Sequence, residues 1–142
     1  MLIKQLTHID KEVVETFKRL IPQLVGRDGY PSFDTLNSIV SSENVKLLVA
    51  VEDDKIIGSL AIALYLIPTG KKAIIEDVIV DESARGKGVA SKLMDKAIEI
   101  ARENGARKIE LTSNPTRIAA NKMYVKYGFK VRDTNFYRLD LE

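Results

Sequence analysis

The stretch Val78–Ser91 reads VIVDESARGKGVAS and carries most of the information in this 142-residue sequence. Its three β-branched residues predict the end of a strand, and the two glycines and two cations of Arg85–Gly88 predict a loop. A helix follows, and a helix N-terminus has unpaired backbone N–H groups and a partial positive charge. Glycine lets such a backbone approach an anion closely. The stretch therefore predicts a site for a phosphate or pyrophosphate group.

Two known phosphate-binding loops differ from this one. The P-loop needs four residues between its glycines and then Gly-Lys-Ser/Thr, which is absent here. The dinucleotide fingerprint G-x-G-x-x-G/A would place Ser91 at its third small position, and five residues separate Val80 from Gly86. Glu110 stands near the distance expected for a ribose carboxylate, so a dinucleotide-binding domain stays an alternative. A second alternative is that Gly86 and Gly88 form only a turn and a helix start.

Two helices and a strand meander are predicted before this stretch. Asp10 and Ser32 are expected to cap the helices, and Pro22 is expected to kink or end the first one. A short strand is predicted over 2–6. Three longer apolar runs, separated by turn sequences, follow the helices and predict an antiparallel meander: 45–51, 56–67 and 73–80.

A helix–strand–helix–strand order is predicted after the loop. One helical face is apolar and Gly105 is expected to end that helix; the residues of the face are Leu93, Met94, Ala97, Ile98 and Ala101. A strand at 108–112, a helix at 117–126 and strands at 129–131 and 135–141 complete the chain. We therefore expect one domain over 1–142 with a mixed α+β fold. Its largely antiparallel sheet should have six to seven strands, flanked by about four helices.

Composition excludes several functional classes. Lys and Arg number 22 against 20 Asp and Glu, a net charge of +2, and a nucleic-acid-binding surface is usually much more basic. No cysteine is present, which rules out a disulfide framework and a thiolate zinc site, and His8 is the only histidine, so no metal site is predicted. No apolar run approaches the roughly 20 residues of a membrane-spanning helix. No signal peptide is visible, so a cytoplasmic location is expected.

Two motifs resemble those of the GNAT superfamily of N-acetyltransferases. Arg85–Ala90 matches R/Q-x-x-G-x-G/A, which is similar to the acetyl-CoA pyrophosphate motif of that family. Asn114–Phe129 resembles its second motif, an Asn and a Tyr on a helix that ends in Gly-Phe. The resemblance implies acetyl-CoA as co-substrate. It assigns the backbone of Val78, Ile79 and Val80 to the pantetheine arm, and it assigns the pyrophosphate to Arg85, Gly86, Lys87, Gly88, Val89, Ala90 and Ser91.

The resemblance also implies direct transfer of acetyl from the CoA sulfur to an amine. An amine with a pKa near 10.4 is only about one part in 2,500 neutral at pH 7, so a base is needed. Glu76 and Asp77 are the candidates, and strand alternation places them on opposite faces unless a bulge intervenes. We prefer Glu76 because some family members carry an acidic base on this strand. A backbone N–H near Val78–Val80 is the expected oxyanion donor.

The second motif supplies the remaining candidates. Asn121 is implied to contact the pantetheine amide, and Tyr124, one helical turn later, is implied to protonate the departing thiolate. Tyr127 is the rival acid, and packing in the core is the alternative role for a tyrosine at this spacing. Tyr30 and Phe33 either line the acceptor pocket or pack in the core.

The expected acceptor is an amine on a small molecule or a peptide, whose identity the sequence leaves open. Neither nucleic acid nor membrane is an expected partner. The oligomeric state, a homodimer included, is also open. A catalytically silent acyl-CoA-binding regulator is the main alternative function.

Overall fold

The computed structural model describes residues 1–26 and 29–142. Within these ranges it has five strands, four α-helices and one short 3₁₀ helix at Glu82–Ala84. The strands are β1 (Leu2–Gln5), β2 (Val45–Glu52), β3 (Lys55–Ile67), β4 (Gly70–Val80) and β5 (Ile109–Glu110). The helices are α1 (Lys11–Val25), α2 (Phe33–Ser41), α3 (Val89–Glu103) and α4 (Ile118–Tyr127). Contacts group the chain into two compact units, Met1–Thr112 and Ser113–Glu142.

The first unit contains one mixed sheet in the order β1-β2-β3-β4-β5. The first four strands are antiparallel neighbours, and β5 pairs with β4 in parallel. The hairpin between β2 and β3 turns at Asp53 and Asp54, whose φ angles of 51° and 60° are those of a type I′ turn. The predicted α+β class, the antiparallel meander and the four helices are therefore confirmed.

The sheet has fewer strands than expected. The described residues 129–142 contain no strand, so the strands predicted at 129–131 and 135–141 are wrong. Alternating apolar residues form a strand only where a neighbouring strand pairs with them and one face becomes buried. Here Val131 is 95% exposed and Phe136 is 77% exposed, so neither side chain has a buried face to pack against. The strand expected at 108–112 is limited to Ile109–Glu110.

Side-chain caps start the first two helices as predicted. The Asp10 carboxylate accepts from the Val13 N–H at 2.9 Å, and the Ser32 hydroxyl accepts from the Thr35 N–H at 3.1 Å. Helix α1 continues for three residues beyond Pro22, so of the two expected effects of proline, a kink or an early end, the early end is wrong. Proline removes one hydrogen bond near the end of the helix, and the buried apolar face of α1 outweighs that loss.

Helices cover both faces of the sheet in the first unit. On one face α1 and α2 enclose a core with β2, which consists of Leu6, Ile9, Val13, Phe17, Leu36, Leu47 and Val49. The alternate residues of β2 and β3 face the other side, where α3 buries Leu93, Met94 and Ala97. In the described part of the chain, no helix is long and apolar enough to cross a membrane.

Gly58 allows α3 to approach the sheet closely. A Cβ atom at this position would lie 2.8 Å from Val89 Cγ1 and 3.0 Å from the Ile79 carbonyl oxygen. Real Cβ atoms essentially never make contacts as short as 2.8 Å, and 3.0 Å is tighter than nine in ten of their contacts. The first turn of α3 is therefore held against β3 and β4 at a distance that only glycine permits.

Candidate active site

A bulge interrupts β4 beside β3. Ser59 pairs with Ile79 and Ala61 pairs with Glu76, so two residues, Asp77 and Val78, oppose one residue on β3. Asp77 has a φ of 51°, a left-handed conformation that few residues other than glycine adopt readily. A bulge changes the side to which the following residues point and bends the strand. The simple alternation of Glu76 and Asp77 is therefore broken at this point.

An apolar cavity of about 580 Å³ lies between α1, α2 and strands β2–β4. Its described lining residues are Phe17, Ile21, Val25, Gly29, Tyr30, Pro31, Leu36, Ile39, Val45, Leu47, Ser59, Ala61, Asp77 and Ile79. Asp77 lines this cavity, and Glu76 is not among the described lining residues. Tyr30 also lines it, whereas Phe33 does not. The Lys18 ammonium lies 5.0 Å from the centre of the Tyr30 ring, which helps to hold that ring in place.

The pairing between β4 and β5 is short. Two residue pairs form it, Ala73 with Ile109 and Ile74 with Glu110, and a Lys72–Glu110 ion pair adds a side-chain link. The side-chain hydrogen bond to Glu110 is the main reason that the pKa of Lys72 is raised. Among the described residues, β5 pairs with β4 only at Ala73 and Ile74, so Val78, Ile79 and Val80 have no β5 partner on that edge of β4. On the other edge of β4, pairing with β3 continues to Val80. The predicted role of these three residues, pairing with a pantetheine arm, stays a prediction.

The glycine loop joins β4 to α3 as expected. Gly86 and Gly88 have φ angles of 81° and 77°, and a Cβ built on either glycine meets no atom within 4 Å. Gly88 is the N-cap residue of α3, and no side chain caps this helix end. Arg85 and Lys87 are exposed, and neither forms an ion pair with any described residue. The loop therefore presents open space, uncapped N–H groups and two cations to solvent, an arrangement that suits an anion.

The side chains of Asp81, Arg19 and Gln23, to which the sequence analysis assigned no role, hold the start of this loop. The Asp81 carboxylate accepts from the Ser83 N–H at 3.2 Å and lies 3.1 Å from Arg19 Nη2. The Glu82 N–H donates to Gln23 Oε1 at 3.0 Å. Arg19 and Gln23 stand four residues apart on α1, and this helical spacing was the only signal of their common role. Helix α1 thus contacts both the cavity and the loop.

The pKa of Asp81 is lowered by this environment. Burial of its carboxyl group, whose side chain is 10% exposed, is the largest single influence and opposes ionisation. The hydrogen bond from the Ser83 N–H, the Arg19 charge and the contact with Gln23 together outweigh it. Asp81 is therefore an anion at neutral pH, which strengthens its hold on Arg19.

The second unit positions the residues predicted from the second motif. The Asn121 side-chain amide donates to the Asn114 carbonyl at 3.0 Å, which ties α4 to the residues before it. Tyr124 is 5% exposed and its ring contacts Phe129 edge to face, with centroids 6.0 Å apart. Burial raises the pKa of the Tyr124 hydroxyl, and the Arg117 charge opposes this in part. The hydroxyl therefore stays protonated at neutral pH. Tyr127, the rival acid, is half-buried.

No group of three or more His, Asp or Glu side chains that could hold a metal ion occurs among residues 1–26 and 29–142. Of the two aspartates at the site, Asp77 lines the cavity and Asp81 pairs with Arg19 at the start of the glycine loop.

The family of the chain follows from its sequence as well as from this geometry. The sequence model described as "Acetyltransferase (GNAT) family" matches residues 11–129, which include both predicted motifs. This chain belongs to the GNAT acetyltransferase family, as the resemblance of its two motifs predicted.

Two relatives are named N-acetyltransferases, and a solved structure shares the fold. The chain is 36% identical over 92 residues to the L-amino acid N-acetyltransferase AaaT of Escherichia coli, a match that covers 63% of this chain and 56% of that protein. It is 28% identical over 134 residues to the aminoalkylphosphonate N-acetyltransferase of Salmonella typhimurium, covering 92% of this chain and 87% of that protein. The crystal structure of a transcriptional regulator from Bacillus halodurans is similar with a TM-score of 0.81 and 27% identity, covering 98% and 99% of the two chains.

Proposed function

We propose that this chain transfers the acetyl group of acetyl-CoA directly to a primary amine of a small molecule or peptide, within one domain over 1–142. The observation that carries the proposal is the loop of Gly86 and Gly88. Both glycines are left-handed, and both stand beside open space at the uncapped N-terminus of α3. The family match supports acetyl-CoA as the ligand of this loop.

The co-substrate would bind along β4 and the loop. Pyrophosphate oxygens would accept from the backbone N–H groups of Arg85–Ser91, with the charges of Arg85 and Lys87 nearby. The pantetheine arm would pair with Val78–Val80, which lie beyond the last β5 pair. The names of the two N-acetyltransferase relatives both specify an amine-bearing acceptor, which supports an amine here.

Asp77 is the better candidate for the base, in place of Glu76, because it lines the cavity in which an amine would lie. The Asp77 carboxylate first takes a proton from the bound ammonium, directly or through water, and passes it to solvent. The neutral amine then attacks the thioester carbonyl, a C–N bond forms, and the nitrogen loses its second proton to Asp77 or to water. The resulting oxyanion would be stabilised by a backbone N–H near Val78–Val80. Collapse of the intermediate breaks the C–S bond and releases the CoA thiolate.

Tyr124 is the proposed donor of a proton to that thiolate. Its raised pKa keeps the hydroxyl protonated, which a proton donor requires. A thiol has a pKa near 8.5, so the thiolate is already a tolerable leaving group and the contribution of Tyr124 should be modest. Asn121 would bind the pantetheine amide from the same helix.

Two measurements test this function. Calorimetry should show binding of acetyl-CoA and none of NAD at the same concentration. Release of free thiol should then depend on an added amine when a panel of amines is screened. Binding of NAD without binding of acetyl-CoA would favour a dinucleotide-binding domain instead. Binding of acetyl-CoA with no thiol release from any amine would favour a silent acyl-CoA-binding regulator.

A further inference from the structure

The described wall of the cavity beside Asp77 is mostly apolar and carries one charge. Hydrocarbon side chains form most of its described wall, among them Phe17, Ile21, Leu36, Ile39, Leu47 and Ile79. Asp77 is the single charged side chain among the described lining residues. A cation that could pair with a phosphate group is therefore absent from the described wall.

The polar groups of the wall are few and partly occupied. The Ser59 hydroxyl is buried and donates its hydrogen to the Leu48 carbonyl oxygen at 3.0 Å. Tyr30, whose ring lies beneath Lys18, adds one hydroxyl. A sugar ring or a phosphate group brings several polar atoms that must keep hydrogen bonds when they leave water. The described residues of this wall offer too few partners for them, whereas an apolar group gains free energy by leaving water there.

Asp77 adds a negative charge to this mostly apolar wall. It is exposed although it lines the cavity, so its carboxylate lies where the cavity opens to solvent. A ligand that carries its charge at one end and hydrocarbon at the other matches this arrangement. The ammonium would lie against Asp77 and the body would extend towards Phe17 and Leu36. A volume of about 580 Å³ is within the range of roughly 300–1,000 Å³ found for small-molecule sites.

We propose that the acceptor is a small primary amine on an aromatic or branched-alkyl body, and that Asp77 binds its ammonium before accepting its proton. This inference rests on the proposed acetyl transfer, because it names the substrate class of the same site. Free arylalkylamines and amino acids with apolar side chains share this chemistry. The two classes of compound differ by one carboxylate, so a matched pair of amines with and without that group distinguishes them.

The first experiment measures kcat/KM with acetyl-CoA for five amines. The apolar arms are 2-phenylethylamine and L-phenylalanine, which share a body and differ by one carboxylate, so their ratio identifies the class. The polar arms are glucosamine 6-phosphate, aminomethylphosphonate and spermidine. We expect at least one apolar arm to exceed every polar arm by about tenfold or more, the range that apolar pocket contacts provide. A preference for any polar arm overturns the inference and leaves acetyl transfer intact.

A second measurement separates this inference from the proposed function. Calorimetry of 2-phenylethylamine and L-phenylalanine, with CoA present in place of acetyl-CoA, reports binding without reaction. Binding without any transfer would support the apolar site and contradict the proposed function. Failure of both compounds to bind or react overturns the apolar site.

A pair of variants locates the body of the amine. Ile39 and Val40 are neighbours on α2, both half-buried, and only Ile39 is among the described lining residues of the cavity. Ile39→Lys places a cation in the apolar wall where the body of the amine would lie and should lower kcat/KM for the better apolar amine at least tenfold, with the KM for acetyl-CoA unchanged. Val40→Lys should lower it much less. Equal losses in two folded variants would show that the amine does not occupy this cavity.

Discussion

Arg19 of α1 and Asp81 at the start of the glycine loop form an ion pair, with Arg19 Nη2 3.1 Å from Asp81 Oδ2. The same guanidinium donates to the Ile56 carbonyl of β3 at 3.2 Å. Phe17 and Ile21, which stand two positions before and two positions after Arg19 on α1, line the apolar cavity. One helix therefore sets both the position of the loop and the wall of the cavity, so a disturbance of α1 should affect both substrates.

Removal of the Asp81 carboxylate should loosen the glycine loop. Asp81→Ala leaves the Ser83 N–H and the Arg19 guanidinium without this partner, a change comparable to the loss of a helix cap. We expect the free energy of unfolding to fall by about 1–2 kcal/mol and the Kd for acetyl-CoA to rise. Urea unfolding and calorimetry measure the two effects. Arg138→Ala, which removes an exposed ion pair with Asp140, is the control and should change stability by less than about 0.5 kcal/mol.

The effect of Asp81→Ala should also depend on pH. The pKa of Asp81 in the folded chain is lowered from its usual 3.8. Its carboxylate therefore contributes its full stabilisation above pH 3.8, and the contribution is lost as the pH falls through the lower folded value. The difference in stability between the wild type and Asp81→Ala should shrink in that acidic range. A difference that stays constant with pH would contradict a role for the charge.

Gly88→Glu should abolish acetyl-CoA binding. It places a side chain and a negative charge in the open space beside Gly88, where the pyrophosphate is proposed to lie. Gly105→Glu is a matched control, because Gly105 has a φ of 73° and similarly open surroundings at the other end of α3. Both changes force a left-handed residue, at a cost of roughly 1–2 kcal/mol each. Calorimetry should show loss of affinity in Gly88→Glu alone, and equal affinities would mean that the loop is only a turn.

Asp77→Asn should lower kcat/KM for the amine by about 10²–10⁴-fold, the usual contribution of a general base. Asparagine also tolerates a left-handed backbone, so the bulge should survive while the carboxylate is lost. Glu76→Gln removes the neighbouring carboxylate and should have little effect. The loss in Asp77→Asn should diminish as the pH approaches the amine pKa near 10.4, because the amine is then already neutral. A larger loss in Glu76→Gln would restore Glu76 as the base.

Tyr124→Phe should lower kcat about 10²-fold, with acetyl-CoA affinity little changed. The ring and its edge contact with Phe129 remain, and only the hydroxyl is removed. The reduction should appear in both kcat and kcat/KM, as for an interaction made only in the transition state. Tyr127→Phe is the control. A wild-type kcat in Tyr124→Phe together with a large loss in Tyr127→Phe would identify Tyr127 as the acid.

Gly58→Ala should destabilise the first unit by about 1–3 kcal/mol, the usual cost of overpacking. The new methyl group would contact Val89 Cγ1 and the Ile79 carbonyl, so α3 must move away from the sheet. Acetyl-CoA affinity should fall as well, because Val89 is the first residue of α3. The double variant Gly58→Ala/Val89→Ala removes one of the two close contacts and should recover part of the stability. Additive losses in the double variant would contradict this explanation.

The local elements were predictable because their signals are local. The caps at Asp10 and Ser32 depend on residues three positions apart, and the run of each strand and the glycine loop are contiguous in the sequence. The bulge at Asp77 depends on the register between β3 and β4, which alternation along one strand does not contain. For the same reason, the apolar alternation near Phe136 predicted a strand although pairing requires a second strand. The contact between Arg19 and Asp81 joins residues 62 positions apart, and the spacing of Arg19 and Gln23 on one helical face does not identify Asp81 as the partner.

The backbone at Asp77 limits how this enzyme can diverge during evolution. The proposed base role requires a carboxylate at a position whose φ is 51°, and aspartate alone among the twenty residues meets both requirements well. Glutamate keeps the charge but lacks the short side chain that suits the left-handed conformation, and glycine keeps the conformation but loses the charge. Mutational drift at this site is therefore constrained even if the acceptor changes. New acceptor preferences should arise instead through substitutions on the cavity faces of α1 and α2, where ordinary helical backbone accepts many side chains.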